Sequence, residues 1–317
     1  MQVVRDPAEF PRLHNAVVTS GTFDGVHLGH HKILQRLQEV ARLSGGPSVV
    51  ITYWPHPRLV LAPPPAHPDP KPLHLLNTLE ERIEKLEGYG VDYLLIVPFT
   101  REFAGWTSEQ YIRELLLEKV GTAKLVIGYD HRFGKNREGS FEYLQQHAAE
   151  YGLEVEEIPR EDVDAVGVSS TRIRRALEAG DVGTAARYLG YDYPFTGTVV
   201  RGQQLGRTIG YPTANIRCEE TLKLVPGRGV YAVMATTAAG TRYPAMLNIG
   251  VRPTVGGSLQ ETVEAHLLDF DGDLYDQPLT VQFVARLRDE QKFNGLDALK
   301  AQLAKDADAA RAHLVGG

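Results

Sequence analysis

The feature that most restricts the fold is a change of pattern along the chain: apolar strands separated by amphipathic helices first, then consecutive short strands rich in glycine. Residues 17–23 (VVTSGTF) and 48–54 (SVVITYW) have the unbroken apolar character of buried strands. Between them, 32–43 (KILQRLQEVARL) places Ile33, Leu34, Leu37, Val40 and Ala41 at helical spacing. Residues 92–99, 108–120 and 124–130 repeat the pattern, with Ser108 as the expected helix cap. Such strand–helix–strand units predict a parallel sheet covered by helices, with ligands bound beyond the C-terminal ends of its strands. The stretch 62–72 holds six prolines in eleven residues, which excludes helix and central strand and predicts a mobile surface loop.

After a helical stretch at 170–190 the texture changes. Strands at 195–202, 229–237, 241–250, 261–270 and 279–287 follow one another without helices, and a last helix spans 296–314. That spacing predicts a small barrel or sandwich. The expected domains are therefore 1–187 and 194–317, with a linker at 188–193. The 317 residues include 34 Lys and Arg against 40 Asp and Glu, a net charge of −6. This balance argues against a general binder of nucleic acid or anionic membranes, so any recognition of phosphate must be local. One cysteine, Cys218, excludes an internal disulfide and a cysteine-based zinc site. The N-terminus lacks the apolar core of a signal peptide, and no run reaches the ~18 apolar residues of a membrane span. The expectation is a cytoplasmic protein; a homo-oligomer is left open.

Three segments carry chemistry. In 21–34 (GTFDGVHLGHHKIL) a buried strand turns through glycine into an amphipathic helix, whose start offers unpaired N–H groups and partial positive charge to an anion. His27 and His30 are spaced to reach one phosphate. In 168–177 (VSSTRIRRAL) the cap candidates Ser169, Ser170 and Thr171 precede Arg172, Arg174 and Arg175, which suits a polyphosphate. In 197–216 (GTVVRGQQLGRTIGYPTANI) Gly202, Gly206 and Gly210 recur every four residues ahead of Thr213 and Asn215, whose oxygens suit magnesium. Each segment also has a plain structural explanation as helix caps, a solvated basic face or turn glycines. Residues 128–136 are not a phosphate loop of the Walker type, because the glycine spacing is one too long and Asn136 replaces the Ser or Thr. No GxGxxG, HExxH or CxxC motif is present.

GTFDGVHLGH with VSSTRIR resembles the HxGH-type nucleotidyltransferases. With 51–57 (ITYWPHP) and 127–139 (IGYDHRFGKNREG), the first half is similar to the Rossmann-like FMN-adenylating domain of bacterial bifunctional riboflavin kinase/FAD synthetases. The second half resembles the riboflavin kinase β-barrel of the same family through PTAN, GVYAV (229–233), NIGVRPTVGG (248–257) and 261–293. Departures are His131 and Val255, each where an aromatic is usual, and Tyr53 and Trp54. The resemblance implies ATP-dependent phosphorylation of riboflavin to FMN and adenylation of FMN to FAD, with magnesium. It assigns Gly21, Thr22, Phe23, Asp24, Ser170, Thr171 and Arg172 to ATP phosphates in the first half, with His27, His30 and Arg174 catalytic. It further assigns Gly202, Gly206, Arg207 and Gly210 to phosphate binding, Thr213 and Asn215 to the metal, and Glu264 as general base. Asp130, Phe133, Arg288, Glu290 and Phe293 fall on the flavin side. The alternatives are one active module only, or a flavin-binding sensor without catalysis.

Overall fold

The structure is a computed structural model of the chain, described for residues 1–61, 73–159, 167–202, 205–253 and 259–314. The loop expected at 62–72 and Val255 lie outside the described residues. The chain divides into two compact units, Met1–Ser170 and Thr171–Gly317.

The first unit is a six-stranded parallel sheet: β1 (Gln2–Val4), β2 (Ala16–Ser20), β3 (Ser48–Trp54), β4 (Tyr93–Pro98), β5 (Thr122–Gly128) and β6 (Glu154–Ile158), in the order β1-β4-β3-β2-β5-β6. From β2 the chain builds outward through β3 to β4, then returns to the other side of β2 as β5. The direction reverses between β2 and β5, and a crevice there is where open α/β sheets bind ligands. All five residues of β2 are buried, which is why its sequence reads as a continuous apolar run. Helix α1 (Leu28–Ser44) buries Leu34, Leu37, Val40 and Ala41 and stops at Gly45, which takes the left-handed conformation (φ 65°). The short α2 (Pro57–Leu61), α3 (Leu79–Glu87) and α5 (Phe141–Tyr151) complete the layers with α4 (Ser108–Gln110), which runs into a π-helical segment, Tyr111–Val120.

Two local expectations need correction. The cap of α4 is Thr107, not Ser108: the Thr107 hydroxyl accepts the Gln110 N–H, and the Gln110 side chain accepts the N–H of Thr107. The helical stretch after residue 170 is two helices, Ser170–Glu178 and Val182–Leu189. They are separated at Gly180, where φ is 75° and a new cap begins as Asp181 accepts the Thr184 N–H.

In the second unit, β7 (Tyr193–Val200), β8 (Ala214–Arg217), β9 (Gly229–Thr237), β10 (Arg242–Pro253), β11 (Leu259–Leu267) and β12 (Pro278–Arg288) close an antiparallel barrel in the order β10-β11-β8-β7-β12-β9. Its interior holds Tyr193, Phe195, Tyr231, Leu247, Val281 and Phe283, all at most 2% exposed. The C-terminal helix Leu296–Leu314 packs Leu303, Ala307, Ala310 and Leu314 against Ala232, Met246 and Leu268.

Candidate active sites

In the first unit, the turn between β2 and α1 lies at the crevice. The Gly21 N–H donates to the carbonyl of Ile51, and Phe23 (φ 46°) and Val26 (φ 33°) adopt positive φ. A β-branched residue at positive φ is a genuine outlier, and such strain collects where a backbone is shaped for a ligand. Asp24 is buried. Its carboxylate accepts the N–H groups of Leu76 (3.0 Å) and Asn77 (3.2 Å), and its carbonyl accepts the Ser170 hydroxyl (2.9 Å). The contacts of Asp24 thus set the shape of the turn, while Gly21 and Thr22 are partly exposed beside it.

The His27 and His30 rings stack at 3.7 Å with 13° between their planes, and Phe23 lies 5.0 Å from His30. Burial, reinforced by His27, His31 and Arg82, holds His30 well below its ordinary pKa, so the ring is neutral at physiological pH. Its Nδ1 accepts the His27 N–H at 3.3 Å, which leaves the proton on Nε2. His30 therefore offers a fixed neutral donor beside the helix start. On the facing strand end, His131 contacts the Ser20 hydroxyl at 2.8 Å across the β2/β5 crevice, and burial pushes its pKa down to about 4. Asp130 is exposed. Phe133 is in the core, against Tyr111 and close over Gly139, and so backs the wall of the crevice. Thr171 and Arg172 are exposed and Arg174 is buried on the helix Ser170–Glu178.

In the second unit, Glu264 has Val263, Ala265 and Leu267 buried on the opposite face of β11, as its alternation predicts. Register places Asn215 of β8 and Asn248 of β10 directly opposite Glu264 on its two sides. The Thr213 hydroxyl donates to Glu264 Oε2 at 3.3 Å. Glu264, Thr213 and Asn248 open on a cavity of about 250 Å³ lined also by His266, Arg288, Glu290 and Phe293, with Leu299, Leu303 and Asp306 from the C-terminal helix. His266 Nδ1 donates to the carbonyl of Pro212 at 2.7 Å and so ties down the segment that carries Thr213 into β8. Arg288 forms a bidentate ion pair with buried Asp306, and its guanidinium lies 5.6 Å from the Phe293 ring. Gly202 lies so close to Asn215 that a Cβ there would fall 2.4–2.8 Å from the atoms of the amide. Gly206 likewise sits against the Tyr211 carbonyl, Gly210 needs φ 87°, and Arg207 is exposed. Asn248, His266, Asp306 and Arg82 were not singled out from sequence. The alternation of β10 and β11 could have found Asn248 and His266, because both point away from the barrel core beside or opposite Glu264.

A strained turn into a helix start on a parallel sheet, followed by a barrel with a carboxylate, hydroxyl and amide in one cavity, is the arrangement expected of a two-unit transferase of phosphorus-bearing groups. The FAD synthetase family matches residues 10–172, and the riboflavin kinase family matches residues 189–314. The bifunctional riboflavin kinase/FMN adenylyltransferase of Pseudomonas fluorescens is 40% identical over 98% of this chain and 97% of its own; that of Escherichia coli K12 is 40% identical over 93% and 91%. A solved structure described as a macrolide-efflux protein from Streptococcus pneumoniae has a TM-score of 0.86 at 31% identity, covering 98% of each chain. The chain belongs to the bifunctional riboflavin kinase/FMN adenylyltransferase family. Among the described residues, no helix is long and apolar enough to cross a membrane.

Proposed function

We propose that the protein phosphorylates riboflavin to FMN in the barrel and adenylates FMN to FAD on the parallel-sheet unit, consuming one ATP in each step. Glu264 in the barrel cavity, bonded to Thr213 and flanked by Asn215 and Asn248, is the observation that carries this reading. An alcohol is a poor nucleophile. The Glu264 carboxylate accepts the 5′-hydroxyl proton as that oxygen attacks the γ-phosphorus of ATP and ADP leaves; general base catalysis contributes roughly 10²–10⁴-fold. The Thr213 hydroxyl donates to one oxygen of that carboxylate and holds its orientation. Arg288, Glu290 and Phe293 line the same cavity and supply the wall for the isoalloxazine.

Thr213 and Asn215 would hold magnesium. Their hard oxygens suit it, and the missing side chain at Gly202 leaves the Asn215 amide room to turn toward it. The ion would supply positive charge that neutralises the phosphates of ATP. Among the described residues no cluster of three His, Cys, Asp or Glu offers a metal site.

In the first unit the FMN phosphate is already an anion and needs no base. Its oxygen attacks the α-phosphorus of ATP and pyrophosphate leaves, so catalysis is positioning and charge stabilisation. His30 Nε2–H and His27 donate to phosphoryl oxygens, and the N–H groups of the Gly21–Asp24 turn and the start of α1 hold the phosphates. Ser170 is placed on the pyrophosphate side, and Asp130 with the wall behind it on the nucleotide and flavin side; the resemblance adds Thr171, Arg172 and Arg174 to the pyrophosphate. The functional boundary is assigned to residues 188–193.

The test is to incubate purified protein with riboflavin, ATP and magnesium and to separate the flavins over time. FMN followed by FAD is expected, and no product above a control without enzyme would refute the reading. Glu264→Ala should abolish FMN formation yet still adenylate supplied FMN. His30→Ala should do the reverse.

A further inference from the structure

Arg82 is fully buried, and the chemistry above does not use it. It projects from α3 beneath the turn at Gly21–His27. Its Nη1 donates to the Thr52 hydroxyl (3.2 Å) and the Tyr53 carbonyl (3.3 Å), and its guanidinium lies 5.4 Å from the Trp54 ring. Thr52 in turn donates its hydroxyl to the carbonyl of Thr22, in the middle of the turn, at 3.3 Å. A hydrogen-bonded chain thus runs from a buried cation to the backbone that receives the phosphates.

Arg82 Nε and Nη2 have no hydrogen-bond partner among the described residues. A buried guanidinium repays its desolvation only when paired and fully hydrogen-bonded, and apolar residues of similar size often serve stability as well or better. A strut between α3 and β3 accounts for Nη1 alone. Burial lowers the Arg82 pKa and the nearby carboxylate of Asp24 opposes that shift, while Asp24 itself accepts from the backbone of Leu76 and Asn77. Besides Asp24, the charge can act on an anion above the turn. This inference rests on the reading that the first unit adenylates FMN.

We propose that Arg82 is a positioning residue of adenylyl transfer: a fixed positive charge beneath the Thr22–Asp24 turn that holds the turn through Thr52 and draws the nucleotide phosphates toward His30. The groups facing His30 are His27, His31 and Arg82, and Asp24 faces Arg82. Because the Arg82 charge opposes protonation of His30, neutralising it moves the acid limb of the pH profile to higher pH.

The experiment compares Arg82→Gln and Arg82→Lys in the full chain. It measures kcat and KM for ATP in adenylation of supplied FMN from pH 5 to 8, with riboflavin phosphorylation as the internal control for folding. Thermal unfolding with and without pyrophosphate reports anion binding directly. Arg82→Gln is expected to lower kcat/KM for adenylation at least 10-fold, raise the acid limb and abolish stabilisation by pyrophosphate, while phosphorylation stays within two-fold. Arg82→Lys should restore the limb and most of the pyrophosphate effect. Equal losses in both variants with no change in the limb, unfolding of the first unit in both included, would reduce Arg82 to a packing element and overturn the proposal. Full adenylation by Arg82→Gln would overturn it too. A wild-type chain that phosphorylates riboflavin but never adenylates FMN would instead overturn the underlying reading.

Discussion

Replacing Asp306 by alanine tests how the C-terminal helix builds the barrel cavity. Its carboxylate accepts Arg288 Nε at 2.9 and 3.1 Å, Arg288 Nη2 at 2.7 Å and Gln302 Nε2 at 2.9 Å, and the side chain is only 4% exposed. Removing one partner of a buried pair costs about 3–5 kcal/mol, because the other charge is left without compensation. The Arg288 side chain is 20% exposed and regains some water, so the low end, about 3 kcal/mol, applies. At about 2–4 °C per kcal/mol for a unit of this size, the barrel's unfolding midpoint should fall by about 6–12 °C, read by calorimetry. Function should follow through Arg288 and Phe293: riboflavin KM rises while kcat changes little, because Glu264 on β11 and Thr213 just before β8 take no part in the ion pair. Adenylation of supplied FMN should not change. Pairing Asp306→Leu with Arg288→Met should recover most of the stability but not the KM, since an apolar pair packs without holding Phe293 in place. A midpoint within 2 °C of wild type, or a loss of kcat at constant KM, would refute the reasoning.

Three other outcomes follow from single contacts. Gly202→Ala drives a methyl group into the Asn215 amide, so riboflavin phosphorylation should need at least 10-fold more magnesium in a titration, with adenylation intact. Asn248→Asp sets a like charge opposite Glu264; the pH at which phosphorylation reaches half its maximum should rise, and Asn248→Ser should not reproduce this. His131 is held neutral down to about pH 4, whereas an unfolded histidine takes up its proton near pH 6.5. Its stabilising contribution is therefore full above pH 6.5 and is lost as pH falls from 6.5 toward 4. In urea unfolding of the first unit, His131→Phe should show a shallower loss of stability between pH 7 and 5 than the wild type; an unchanged slope would refute the assignment.

The elements legible in the sequence were those whose burial is uniform or strictly alternating. β2, β3 and β5 stand between helices on both faces of the sheet and so carry unbroken apolar runs, and Glu264 stands out because Val263, Ala265 and Leu267 flank it. β1 and β6 left no such signal. β1 has three residues, and Glu154–Ile158 is a charged strand at the sheet edge, with little apolar surface to bury. The histidines and the PTAN segment were found because they are adjacent in sequence to the turns they serve. Arg82 and Asp306 were not, because each works only across a tertiary contact: the arginine in LEERIEKLE or an aspartate in AKDADAA reads as a solvated helix face until the fold buries it.

The two sites differ as their nucleophiles require. Phosphorylating riboflavin means attack by an alcohol, and the barrel places a carboxylate opposite two asparagines, where it can take a proton. Adenylating FMN means attack by a phosphate that is already an anion, so a carboxylate at the crevice would only repel it; the acidic group of that turn, Asp24, is turned inward onto the N–H groups of Leu76 and Asn77. In the proposed site its place is taken by a neutral donor, His30, whose proton is fixed on Nε2 by the backbone of His27, with the Arg82 guanidinium beneath. A protonated His30 would attract phosphates more strongly, but its charge would vary across physiological pH. Burial and a nearby arginine remove that variation, and in the proposed arrangement the positive field comes from an arginine, whose ordinary pKa lies far above that of histidine. A chain of net charge −6 can therefore hold several polyphosphates in turn, because the field they meet is set within a few ångströms of each turn.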